Sequence, residues 1–367
     1  MYRFLINIIV TSLFILFIHH HITAAEFDSE TDSVHSVKHT EEDKGFDTEK
    51  FIFDHIKDDY SWHLFTYNHH HISIPLPVIL YSKNKGWVFF FSNKLAHNHT
   101  YKGFKITEEG DFKGKIIEVD INGAFVARPF DISMTKNAVA IIISCMILIA
   151  VFVSIAKAYQ KNPNEPPKGL QSLFEPLIIF IRDEIAKDSI GEKNYERFTP
   201  ALLTIFFFIL LNNLLGLVPL FPGGANVTGN ITVTMGLALC TFIITTFTGN
   251  KNYWAHIFNT PGIPWWLKAP LPLIPVIELF GVIIKPFVLM IRLFANITAG
   301  HIIILGFFSL IFIFGNISSL MGILASPISI AFTVFMSFLE LLVAFIQAYV
   351  FTVLSAIYFG MAVAEDH

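Results

Sequence analysis

From Leu273 to Phe314 the chain runs for 42 residues that are almost all apolar, and from Ile328 to Phe359 it runs for another 32. As helices these stretches would measure about 63 and 48 Å at 1.5 Å per residue. The hydrocarbon layer of a bilayer is only about 30 Å thick. Each element must therefore tilt steeply, bend or fold back on itself, and two strongly tilted helices packed side by side fit the lengths best. Three shorter apolar runs precede them: Ala138–Ala156, Phe198–Val218 (interrupted only by Asn212 and Asn213) and Ile231–Thr248. Each is long enough to span a membrane. Composition agrees, because 53% of residues are hydrophobic and only 15% charged, whereas soluble domains carry nearer a quarter. A net charge of −4 leaves no footprint for nucleic acid. The expected fold is an all-α polytopic membrane protein of about five to six membrane helices, with a small extramembrane N-terminal region.

Residues 1–25 read as a signal peptide. Arg3 gives a positive start, Phe4 to Ile18 is apolar, and Thr23-Ala24-Ala25 offers small residues for cleavage. A retained N-terminal anchor is the alternative, and His19 to His21 is unusual beside a cleavage site. Residues 26–135 hold most of the histidines and many acids, with Lys38 to Lys50 reading as a solvated stretch. His71 to Val78 and Lys115 to Asp120 look like short strands, with Gly86 and Gly110 in turns. His69-His70-His71 is a poor metal site, since neighbours on a strand point apart. Asn98-His99-Thr100 is a glycosylation sequon, relevant only in a eukaryotic secretory setting. Cys145 and Cys240 lie in apolar runs and read as small buried side chains. The membrane domain is residues 136–367.

Loop charge orients the spans. Between the first two lie Lys157, Lys161, Lys168, Arg182, Lys187, Lys193 and Arg197, while Pro219 to Asn230 carries no lysine or arginine. The positive-inside rule puts the first loop in the cytoplasm and the second outside. The N-terminal region is then exported, as the leader also implies. Within the basic loop, Leu170, Leu173, Phe174, Leu177, Ile178, Ile181 and Ile185 recur at helical spacing. They predict an amphipathic helix kinked at Pro176, lying in the headgroup plane or packed on a partner helix.

The long runs also carry polar groups. Glu278, Lys285 and Arg292 are spaced by seven, Asn296 follows Arg292 by four, and His301 comes next. On the last run Glu340 and Gln347 are again seven apart. A charge in mid-bilayer costs several kcal/mol, about 2.5–3.5 for arginine on insertion scales, and normally marks an ion path. For Glu278 and Lys285 a structural ion pair or snorkelling is the alternative. Arg292 has no interface within reach, being flanked by Phe287 to Ile291 and Leu293 to Ala295.

Three segments carry a family likeness. Arg292-Leu293-Phe294-Ala295-Asn296-Ile297-Thr298-Ala299-Gly300-His301 resembles the signature helix of the subunit a family of F-type ATP synthases. Gln347-Ala348-Tyr349-Val350-Phe351-Thr352-Val353-Leu354 and Leu211-Asn212-Asn213-Leu214-Leu215-Gly216-Leu217-Val218-Pro219 resemble two further family segments, in order and over roughly residues 136 to 364. The resemblance implies a non-catalytic stator subunit in the cell's inner (plasma) membrane, with an exported N-terminal region and a cytoplasmic C-terminus. Two half-channels would carry protons to and from a rotating ring of c subunits, with peripheral-stalk b subunits and membrane lipids as the other partners. Arg292 matches the family's arginine, which does not lose its proton and so keeps a passing ring carboxyl ionised. Asn296 and Gln347 would support it. His301, Glu340 and Asn213 match positions lining the outer half-channel, and Glu278 an acid on the cytoplasmic side. The family often places an acid and a histidine in the reverse order of His301 and Glu340, so the two are expected to face each other and titrate as one unit.

A secondary transporter using Arg292 to hold an anion is the competing class, and an exported binding module on an anchor is a third. Transporters usually show internal repeats, and none is evident here. No nucleotide loop, nucleophile triad or metalloprotease helix occurs in the sequence, and no cofactor or metal is expected.

Overall fold

The computed structural model describes residues 48–67, 70–107, 112–120, 122–161, 166–218, 221–258 and 273–364. The leader, the stretch before Thr48, His69 and Gly110 lie outside the described residues.

The N-terminal region opens with helix α1 (Thr48–Ile56) and continues as eight short strands. Strands β1 (Ser61–Tyr67) and β2 (His70–Pro75) form an antiparallel pair. Strand β3 (Pro77–Ser82) lies between β4 (Gly86–Phe91) and β8 (Phe130–Asp131), all antiparallel. Strands β5 (Phe104–Ile106), β6 (Ile116–Val119) and β7 (Phe125–Ala127) make a third sheet. The single strand expected over His71 to Val78 is two, parted at Leu76. There, Leu76 exchanges bonds with Ser92 and leaves the ladder: its N–H donates to Ser92 Oγ at 3.0 Å and its carbonyl accepts from Ser92 N at 2.9 Å. Val78, Leu80 and Val88 turn inward on Tyr60, Leu95, Phe104 and Ile116. Buried Glu118 is held between Ser82, at 2.6 Å, and Lys85, at 3.2 Å.

Among the described residues, five helices are long and apolar enough to cross a membrane: α2 (Lys136–Lys161), α5 (Tyr195–Leu217), α6 (Ile231–Thr248), α8 (Leu273–Ile317) and α9 (Ser319–Val363). The chain is thus an all-α polytopic membrane protein with a small strand-bearing N-terminal region. Many hydroxyls inside the spans bond back to their own helices, as Thr204 does to Pro200 O at 2.7 Å and Thr352 to Ala348 O at 2.8 Å.

Between α2 and α5 lies the amphipathic element. Helix α3 (Leu170–Phe180) runs on through a π-helical turn, Ile181–Lys187, into the short α4 (Asp188–Ile190). Pro176 sits inside α3, and the irregularity falls just beyond it rather than at the proline. Ile181 and Ile185 are fully packed, and Phe174 meets Phe152 and Phe207 at 5.8 and 5.3 Å. Leu170 and Leu173 stay exposed, so only part of the apolar face seats on the bundle. A further short helix, α7 (Lys251–Phe258), follows α6.

The last two helices exceed expectation. Each has 45 residues, about 68 Å. Helix α9 starts at Ser319 rather than Ile328 because Ser326 and Pro327 are absorbed into it: Pro327 is the ninth residue, interior prolines are tolerated in membrane helices, and Ser326 Oγ bonds Gly322 O at 2.7 Å. They form an antiparallel hairpin turned at Ser318, closed where Gly322 meets Gly315; a Cβ on Gly322 would lie 2.8 Å from Gly315 Cα.

Contacts fix which ends lie together. Trp62 packs on Phe221, after α5, at 5.1 Å, and Phe51 on Phe312, near the hairpin turn, at 6.4 Å. At the far end Asn250 bonds Ala362 O and Val363 O, and Phe198 stacks on Phe359 at 5.2 Å. The N-terminal region and the C-terminal end of α9 therefore lie on opposite faces of the bundle, as five spans require.

Candidate functional site

The hairpin brings the intramembrane polar residues together in rungs. Asn296 Nδ2 on α8 donates to Gln347 Oε1 on α9 at 2.9 Å, and Gln347 is 3% exposed. Nearer the turn, His301 Nδ1 stands 3.3 Å from Glu340 Oε1. That is ion-pair distance, yet among the described residues neither Glu340 oxygen has a hydrogen-bond partner, although the residue is only 5% exposed.

Glycines make the room for this pair. A Cβ on Gly300 would lie 2.9 Å from Glu340 Oε1, so the carboxylate occupies the space that a side chain there would need. A Cβ on Gly216 of α5 would lie 3.6 Å from His301 Nε2 and 3.5 Å from Ala225 O. Small residues here let α5, α8 and the loop after α5 close around the imidazole.

Asn213, one turn before Gly216, is buried and doubly bonded. Its Nδ2 donates to Ala344 O at 3.1 Å, and its Oδ1 accepts from Thr228 Oγ1 at 2.6 Å. Thr298 Oγ1 in turn donates to Gly229 O at 3.3 Å. The α5–α6 loop thus folds inward: Ala225, Asn226, Val227 and Thr228 are all buried. Sequence reading missed Asn226, Thr228, Thr298 and Gly300. The signal was Asn226-Val227-Thr228-Gly229-Asn230, polar but uncharged in a short inter-span loop.

Arg292 lies one turn from Asn296 and is exposed, beside Val288 and Ile291, which are 40% and 43% exposed. No hydrogen bond or ion pair holds it among the described residues. Antiparallel register sets Gln347 level with Asn296, one turn from Arg292 on the same helix, and Asn296 takes its oxygen. Glu278 is half-buried in α8 and forms no ion pair with Lys285 among the described residues. Lys285 instead stands over the Tyr358 ring at 5.7 Å and reaches Met361 Sδ at 3.9 Å. It borders a small cavity with Thr241, Thr245 and Tyr253.

Outside the spans, Tyr60 OH donates to Asp131 Oδ2 at 2.5 Å, and burial, with the Asp131 charge second, pushes the phenol well above its ordinary range. No group of three or more metal-ligating side chains occurs among the described residues.

Such an architecture defines a multi-pass membrane protein whose polar side chains are gathered along one helical hairpin and the helix and loop that clasp it. Residues 138–360 match the family described as ATP synthase A chain, and residues 51–135 match a domain of unknown function (DUF8433). The chain is 45% identical over 246 residues to ATP synthase subunit a of Chloroherpeton thalassium, covering 65% of this chain and 69% of that one. It is 46% identical over 243 residues to ATP synthase subunit a 2 of Chlorobaculum tepidum, covering 65% of each. To ATP synthase subunit a of Myxococcus xanthus it is 41% identical over 242 residues, covering 65% of this chain and 75% of that protein. The chain belongs to the ATP synthase A chain family.

Proposed function

We propose that this chain is the stator subunit of a rotary ATP synthase, carrying protons through two half-channels to and from a ring of c subunits, with peripheral-stalk b subunits as its other neighbours. The observation that carries this reading is Arg292, a permanent cation exposed on an otherwise apolar stripe of α8, one turn from the Asn296–Gln347 bond. An unpaired charge in a lipid-facing position is costly, so a partner of opposite sign is the natural occupant of that stripe. A ring carboxyl passing there is held ionised by the guanidinium, which cannot itself relay a proton. Direct leakage between the half-channels is thereby blocked, and protons must travel with the ring.

On this reading His301, Glu340 and Asn213 line the path from the side of the N-terminal region, which is exported. Glu278 lies toward the cytoplasmic side with the C-terminus, in the plasma membrane. ATP chemistry belongs to other subunits, since the chain itself is not an enzyme on this assignment. Each proton crossing gains about 2.3 kcal/mol per 100 mV.

The test is Arg292→Ala in the whole complex, isolated in mild detergent and returned to vesicles. The ring should co-purify at the usual ratio while ATP-driven proton pumping disappears. Normal pumping by an assembled variant would defeat the stator role.

A further inference from the structure

Among the described residues, buried side-chain atoms of Asn137, Asn212, Asn226, Thr246 and Glu340 find no hydrogen-bond partner. Three of these residues concern the outer end of the bundle: Glu340, Asn226 and Asn137, which are 5%, 6% and 2% exposed. An unpaired buried polar atom is costly, and ordered water is its usual remedy. Trp62 of β1 and Ala140 of α2 share one core with Ala225 and Val227 of the loop that carries Asn226, and Trp62 packs on Phe221 of the same loop. Asn226 adjoins Ala225, whose carbonyl flanks Gly216 opposite His301. Asn137 is the second residue of α2, and its N–H donates to Asp58 Oδ1 at 2.9 Å.

Asn137 also leads into the N-terminal region. Lys136 N donates to Asp59 O at 2.9 Å, and Asp59 takes bonds from Tyr60 N at 2.7 Å and Ser61 Oγ at 3.2 Å. Lys136 therefore stands at the head of α2 beside both Asp58 and Asp59. A lone ammonium at this point would repel any cation approaching the histidine. Two carboxylates beside it reverse the sign of the local field.

We propose that the path to His301 and Glu340 runs past Asn226 and Asn137 and opens between Asp58, Asp59 and Lys136, so that the N-terminal region builds its mouth. This rests on the proton-carrying reading above and adds a role for residues 51–135, whose matching family has no known function. Water bridging the two asparagines gives a Grotthuss chain without a titrating step. The acids hold cations at its head, and Lys136 is neutralised rather than exposed.

Two measurements on the complete complex in vesicles test it. In a Cys145→Ala, Cys240→Ala background, Asn226→Cys and Asn137→Cys should react with a membrane-impermeant thiol reagent applied from the side of the N-terminal region. Ser144→Cys, on the same helix but fully buried, should stay protected. If the first two are protected as well, no water reaches them and the path lies elsewhere. The second measurement is proton conduction. Asp58→Asn with Asp59→Asn should lower it about tenfold, the low end for charge focusing in a cleft. Asp58→Asn keeps the oxygen that caps α2, so folding is spared. Adding Lys136→Gln should restore conduction. An unchanged rate, or a loss without rescue, would overturn the charge argument. Labelling needs no rotation, so it separates this proposal from the stator reading, whose own failure shows as pumping in Arg292→Ala.

Discussion

Asn296 on α8 gives its amide hydrogen to the Gln347 oxygen on α9 across 2.9 Å, and this bond sets the level at which two 45-residue helices face each other. Along α8, Arg292 lies about one turn from it on one side and His301, paired with Glu340, lies little more than one turn away on the other, so one register governs both.

That bond should be measurable. A double-mutant cycle with Asn296→Ala and Gln347→Ala, read by unfolding of the chain in detergent, should give a coupling of about 0.6–1.7 kcal/mol, the range for hydrogen bonds between membrane helices. Additive effects of the two substitutions would show that the register is set elsewhere.

Gly300 should be as sensitive as the residues it admits. In Gly300→Ala the new methyl group meets Glu340 Oε1 at 2.9 Å and must displace the carboxylate from His301, at an overpacking cost of about 1–3 kcal/mol. Proton conduction should fall to the level of Glu340→Ala. Gly281→Ala, on the same helix with nothing within 4 Å, should conduct normally. Equal behaviour of the two variants would remove the glycine from the argument.

His301 and Glu340 should act as one unit. Either one changed to Ala should slow conduction, and His301→Glu combined with Glu340→His should recover part of it, because the 3.3 Å pairing survives exchange. Normal conduction with easier unfolding in both single variants would mark a structural ion pair instead.

The N-terminal region should weaken in alkali. The Tyr60 phenol is raised above its ordinary value of 10.0 by burial first and by Asp131 next. Its contribution is therefore complete below pH about 10 and is lost as pH rises through the raised value. Tyr60→Phe should cost about 1.5–3 kcal/mol, as for a bond to a charged group, and flatten that dependence. Limited proteolysis of the region in the intact chain between pH 8 and 11 reads both effects. A steep alkaline loss that persists in Tyr60→Phe would assign the transition to another group.

Much of the membrane domain was legible because a bilayer leaves few choices. A run such as Ile231–Thr248 must be helical, since no water is present to satisfy its backbone, and its bounds in the structure are those read from the sequence. Polar residues stood out for the same reason: Glu340 among leucines has no ordinary reason to be there. The N-terminal region offered no such filter. Strands β5, β7 and β8 have only three, three and two residues, the longer β1 and β4 alternate weakly, and Leu76 broke a strand through two bonds to Ser92, sixteen residues away.

The sequence by itself determined that the chain crosses a membrane, which stretches cross it, and which side chains are out of place there. Burial free energy in lipid depends on each residue's own polarity, so it can be read one position at a time. Only the tertiary structure decided who meets whom: Asn296 against Gln347, the inward fold of Asn226 to Gly229, and Gly300 making space for Glu340. Helical periodicity names a face but carries no information about its level against a neighbour. That level comes from packing small residues such as Gly315 and Gly322 at the hairpin turn, and from hydrogen bonds that form only between partners already brought close.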